Sequence, residues 1–94
     1  MEDKEAILRR GWVEVHAVVG GIRQLHTLNV KKERTMWGTV PYLVCDRQLP
    51  HAEVIRIAEE LQLPVKAGGV SAFPRGKSPK DFALKEEKPL IKIQ

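Results

Sequence analysis

The side chains of this sequence that could do chemistry are three histidines, His16, His26 and His51, together with runs of lysine and arginine. An imidazole titrates near neutrality. It can therefore take and return a proton in RNA cleavage, where the 2′-hydroxyl attacks its own phosphate and no metal is required. His26 is the candidate for that catalytic role, and its alternative is a core or edge histidine bonded to backbone. The expected hairpin register puts His16 and His26 on opposite faces, and His51 falls in the first turn of a later helix. The three cannot converge, so no metal site is expected. Cys45 is the only cysteine, which leaves no disulfide framework and no cysteine-based zinc site. No motif calls for a cofactor.

The cations are unevenly placed. Residues 1–63 carry nine basic and nine acidic side chains, while residues 64–94 carry seven basic and three acidic, which accounts for the net +4. A neutral unit with a basic extension suits a polyanion, because phosphate contacts are additive and independent of sequence. It equally suits a tail that only keeps the chain soluble. The candidates for RNA contact are Arg23 in the hairpin, Lys31, Lys32 and Arg34 in a strand connection, and Arg75, Lys77 and Lys80 in the extension. Residues 71–78 imitate the end of a phosphate-binding loop, but Ser71 replaces its first glycine. Pro79 stands where the loop's helix should begin, so the anion site lacks its dipole and ordered N–H groups. A helix-turn-helix over residues 54–71 fails at Gly68-Gly69, which would cost its second helix about 2 kcal/mol relative to alanine. Trp12, Trp37, Tyr42, Phe73 and Phe82 are too scattered to form a stacking platform for single strands, and core or interface positions are expected for most.

The elements that must position these residues are legible in part. Residues 3–10 form a short helix, with Asp3 as N-cap, Arg9 and Arg10 late, and Gly11 just past the end. Residues 12–30 form a hairpin about Gly20-Gly21, a pair that supplies the positive φ values of a two-residue turn. That turn sets Val19 opposite Ile22, Ala17 opposite Gln24, Val15 opposite His26 and Val13 opposite Leu28 on one apolar face. Lys31-Lys32-Glu33-Arg34 reads as a charged connection to a third strand over residues 37–45, whose start Gly38 and Pro41 make irregular or edge-like. Leu49-Pro50 opens a helix with Val54, Ile57, Ala58 and Leu61 on its buried side, and Pro64 stops it. These periods predict that Val13, Val15, Val44, Val54, Ile57, Ala58 and Leu61 are buried together. Residues 64–94 read as loop, with residues 65–67 a candidate short strand and residues 89–93 a candidate edge strand.

The order is α-β-β-β-α: an α+β domain over residues 1–63, with helices on one face of a three-stranded antiparallel sheet, and a basic extension over residues 64–94. It is the layout of double-stranded-RNA-binding-type domains. Gly11-Trp12, Val40-Pro41, Leu49-Pro50 and Leu61-Gln62-Leu63 in this order resemble the HicA (YcfA-like) toxins over residues 5–63. The resemblance implies a small mRNA interferase with a double-stranded-RNA-binding-like fold and an antitoxin partner. Where that family carries a catalytic Gly-Ser-His, this chain has Gly20-Gly21-Ile22-Arg23, and its nearest histidine is His26. Residues 64–94 have no counterpart in the minimal toxin.

Two readings follow. One is a binder of structured RNA that reads A-form shape and phosphates, with or without ribonuclease activity through His26. The other is a non-catalytic protein-interaction or regulatory module that docks through a sheet edge, alone or as an oligomer. No apolar run approaches the roughly 20 residues that span a bilayer. The acidic start also lacks the apolar segment of a secretory leader, so no membrane association and a cytoplasmic location are expected.

Overall fold

Gly20 and Gly21 take φ values of 60° and 79°, the left-handed conformation that a two-residue hairpin turn requires. The chain reverses there between β1 (Trp12–Val19) and β2 (Ile22–Thr35). The register is the expected one, with Val15 opposite His26 and Val13 opposite Leu28. The structure, a computed structural model, describes residues 3–84. It is an α+β fold of two α-helices and a five-stranded mixed sheet in the order β1-β2-β3-β4-β5.

The sheet corrects the expected three-stranded antiparallel arrangement in two places. First, β2 is 14 residues long and does not stop at Val30. Residues 31–34 are strand, and the second reversal comes at Met36-Trp37, from which β3 (Gly38–Cys45) pairs back against Asn29 to Thr35. Lysine, glutamate and arginine have weak strand preference, but pairing against Thr39-Val40-Pro41-Tyr42 overrides it. Second, the chain after α2 (His51–Leu61) returns to the sheet. β4 (Val65–Ala67) lies parallel to β3, and β5 (Val70–Ala72) lies antiparallel to β4. Val65 and Ala67 are fully enclosed, so this stretch of the expected extension belongs to the core. Gly68-Gly69 is the tight turn between the two short strands. The candidate strand at residues 89–93 lies outside the described residues.

The helices follow their end signals. In α1 (Lys4–Arg10), the Asp3 carboxylate accepts from the Glu5 N–H, and Gly11 at φ 95° donates to the Ile7 carbonyl. Ile7 is fully buried. α2 ends at Gln62, in the left-handed region at φ 56°, and Pro64 prevents its continuation. Val54, Ile57 and Ala58 face Val13, Ala17, Leu28, Leu43 and Cys45 across the core, with Val15 and Leu61 half-buried at its margin. Val44 is the exception to the expected buried set. It pairs with Asn29 on the opposite face, and its neighbours Leu43 and Cys45 fill the core instead. Residues 42–45 are all apolar, so no period marked which of them would turn inward.

β1 pairs with residues 22–29 of β2 and β3 with residues 29–35, so the two hairpins run toward opposite ends. This stagger gives extents of 57 × 23 × 21 Å. β4 reaches only residues 43–45 of β3. The remaining edge of β3 is covered by the segment after β5, which makes a 3-10 turn at Pro79–Phe82 and donates the Leu84 N–H to the Thr39 carbonyl at 2.8 Å. Pro41 sits on that stretch, beyond the reach of β4. Leu43 directs its N–H toward Pro64 on the β4 side. By alternation the N–H that Pro41 lacks would point the same way, so its absence breaks no bond to β2. Tyr42, Phe73 and Phe82 pack together there, with ring centroids 6.0 and 6.3 Å apart.

Candidate nucleic-acid interface

The long ribbon of β2 and β3 gathers most of the cations singled out in the sequence. Lys31 lies opposite Tyr42, Lys32 opposite Pro41 and Arg34 opposite Thr39. Alternation puts Lys32 and Arg34 on one face of the ribbon and Lys31 with Glu33 on the other. All are exposed. Glu33 is the one acid of this ribbon, and the Lys66 ammonium neutralises it. That ammonium lies 4.3 Å above the Tyr42 ring and 2.6 Å from the Glu33 carboxylate. Lys31, Lys32 and Arg34 are thus left without an ion-pair partner among the described residues.

Three more cations reach the same end through the C-terminal segment and α1. Ala83 abuts Gly38 and Leu84 bonds Thr39, which anchors the 3-10 turn beside the ribbon. Lys80 is in that turn and Lys77 just ahead of it. Asp81 between them accepts from the Ser78 N–H at 2.8 Å and the Ser78 hydroxyl at 3.2 Å. The Ser78 N–H, more than the neighbouring Lys77 and Lys80, holds its carboxyl below the usual range. The same bond occupies the Ser78 N–H, and the Lys77 N–H donates to the Pro74 carbonyl, so neither is free to meet a phosphate. Lys4 of α1 lies 5.9 Å over the Phe82 ring.

Two of the expected RNA contacts lie elsewhere. Arg23 pairs with Val18 near the Gly20-Gly21 turn, at the other end of the sheet. Arg75 is held beside α2, where its N–H donates to the Glu59 carboxylate.

The sequence reading missed the ribbon's tip. Met36 is 84% exposed and Trp37 50%. The Thr35 hydroxyl holds the turn, donating to the Gly38 carbonyl at 2.7 Å and accepting from the Trp37 N–H at 3.1 Å. The available signal was Met36-Trp37-Gly38 between two strand-like runs, had residues 31–34 been read as strand.

His26, the candidate acid–base residue, is 6% exposed, and its Nε2 is closed off with no hydrogen-bond partner among the described residues. His26 itself lines a cavity of about 260 Å³, together with Leu25, Thr27, Cys45, Asp46 and Arg47. Nε2, as enclosed, is out of hydrogen-bond reach of a substrate hydroxyl, which leaves Nδ1 as the ring's one nitrogen not closed off. His16 and His51 are exposed, on β1 and at the start of α2. No group of three metal-ligating side chains occurs among the described residues.

The polar side of α2 also has a task that the sequence did not show. β1 is an edge strand, and Glu53 accepts from the Val18 N–H at 3.1 Å while Arg56 donates to the His16 carbonyl at 2.6 Å. Arg56 also binds Glu53 at 2.9 Å and Glu60 at 3.0 Å. The Arg56 hydrogen bond, and then the Val18 N–H, lowers the Glu53 carboxyl below its ordinary range, and Glu53 in turn raises Arg56. The side chains thus stand in for a neighbouring strand along part of the free edge.

Comparison with protein-family models, curated proteins and solved structures gives no match to this chain. Fold and site therefore define only a class: an α+β protein with a basic β-ribbon. No helix among the described residues is long and apolar enough to cross a membrane.

Proposed function

We propose that this protein binds structured RNA through the basic end of the β2–β3 ribbon and does not cleave it. The observation that carries this reading is the exposure of Lys31, Lys32 and Arg34 on both faces of one ribbon, whose single acid is already engaged by Lys66. Lys77 and Lys80 extend the same surface. Such a ribbon supplies phosphate contacts from several directions, which suits recognition of A-form shape more than of sequence. The enclosed Nε2 of His26 argues against the ribonuclease component. Docking of a protein partner along β1 has less support, because Glu53 and Arg56 already hold that edge.

The test is binding of duplex RNA by fluorescence anisotropy across a salt series. The combined Lys31→Ala, Lys32→Ala and Arg34→Ala variant should lower the log–log salt slope by about 2–3, at roughly 0.7–0.9 per lost contact. It should keep the wild-type melting curve. An unchanged slope and affinity in this variant would remove the ribbon from the interface.

A further inference from the structure

The ribbon ends in two large apolar side chains, Met36 and Trp37, that are exposed among the described residues. Met36 and Trp37 form a two-residue turn, and the doubly bonded Thr35 hydroxyl fixes it. Neither face of the Trp37 ring has an aromatic or cationic partner among the described residues. The other exposed tryptophan differs, since the Arg10 guanidinium lies 4.3 Å over the Trp12 ring. Single exposed apolar residues are ordinary on protein surfaces. A tryptophan on a fixed turn, at the end of a strand whose Lys32 and Arg34 have no acidic partner among the described residues, is a narrower arrangement, because those charges would bring a polyanion to the ring.

Resting on the RNA reading above, we propose that Trp37 is a stacking residue for an unpaired nucleobase, with Met36 as its apolar neighbour and Lys32 and Arg34 on the flanking phosphates. The preferred ligand is then duplex RNA interrupted by a bulge or loop, in which a base is free to leave the helix. A fully paired duplex satisfies the cations but offers the ring nothing to stack on. Base–aromatic stacking tolerates any base, so the preference is for the unpaired state and not for a sequence.

The test uses the full chain and two RNAs of equal length, one fully paired and one with a single-nucleotide bulge. Wild type should bind the bulged RNA more tightly. Trp37→Ala should lose that preference, weakening binding to the bulged RNA roughly ten-fold or more. Its affinity for the paired duplex, its salt slope and its melting curve should stay unchanged. Trp37→Phe should recover part of the loss, and Trp12→Ala should leave the preference intact. The chain has two tryptophans, so in Trp12→Phe the emission comes from Trp37 alone and should be quenched by the bulged RNA. Equal binding of both RNAs by wild type and Trp37→Ala would overturn the stacking role and leave the ribbon reading standing. Absence of any RNA binding would overturn both. A blue shift of Trp37 emission with anionic phospholipid vesicles, without a response to RNA, would make the tip a membrane wedge and overturn the proposal.

Discussion

His26→Leu should make this protein more stable. His26 sits opposite Val15 within the apolar layer, 6% exposed, with Nε2 shut away from solvent and from every described acceptor or donor. A buried polar atom left without a partner costs about 1–3 kcal/mol. Leucine removes that cost and places apolar carbon against Val13, Val15 and Leu28. The change of shape takes back something, usually less than about 1.5 kcal/mol for swaps of similar volume. The expected net gain is about 1 kcal/mol, or a rise in Tm of roughly 4–8 °C for a domain of this size. His26→Gln is the matched control, because its amide enters the same enclosure with more unmet hydrogen bonds and should lose about 1–2 kcal/mol. Urea melts at neutral pH measure both. If leucine instead destabilises by more than about 1 kcal/mol while glutamine is neutral, the ring nitrogen has a partner and the argument from burial fails. A wild type that cleaves RNA, beside a stable His26→Leu variant that does not, would restore the catalytic role.

Three further outcomes follow from contacts elsewhere. Glu53→Gln should flatten the acid limb of the stability curve: the folded carboxyl is lowered by Arg56 and the Val18 N–H. Its contribution is therefore complete above the unfolded pKa and fades as pH falls through the folded one. Wild type and variant should differ at pH 7, begin to converge as pH falls below the ordinary glutamate range, and meet only below the lowered folded value in denaturant melts. Gly68→Ala should cost at least about 1–2 kcal/mol from the left-handed φ of 57° alone. It should cost more because the new Cβ would sit 2.7 Å from the Gln48 Cα, and thermal melting reads this directly. A chain ended after Lys66 should lose its cooperative transition, since β5, the Phe73 ring against Tyr42 and the Phe82 ring against Phe73 go with the tail, whereas one ended after Leu84 should keep it; calorimetry separates the two.

The sequence was most readable where local chemistry and tertiary context agree. Gly20-Gly21 demands a two-residue turn, and that turn fixes every pair from Val19–Ile22 to Trp12–Asn29. Asp3, Gly11 and Pro64 bound their helices for equally local reasons. Legibility failed where pairing decides. Residues 31–34 carry no strand signal of their own and become strand because β3 lies beside them. Residues 65–67 are legible as a candidate strand, but residues 70–72 look like loop after Gly68-Gly69 until the crossover through α2 lays β4 against β3 and gives β5 a partner. His26 was placed on the right face by register alone, but a register cannot show whether its nitrogens reach a partner.

These misses share one cause, and it bears on function. Reading residues 31–34 as a connection hides the ribbon's length, and with it the turn that exposes Met36 and Trp37. The same lysines on a loose loop would be independent point charges, free to adjust to any anion. On paired strands they alternate between faces at a spacing of about 3.4 Å per residue. Glu33 is removed from the field by a lysine that arrives from β4 across the Tyr42 ring. A strand taken for an extension therefore silences the one acid that would dilute the ribbon's charge. Breaking that contact should weaken polyanion binding although no cation of the ribbon changes. Lys66→Met retains the apolar stem over Tyr42 and frees Glu33, so RNA affinity should fall and the melting curve should barely move. An affinity that stays at the wild-type value would mean that the charge on the ribbon does not govern binding.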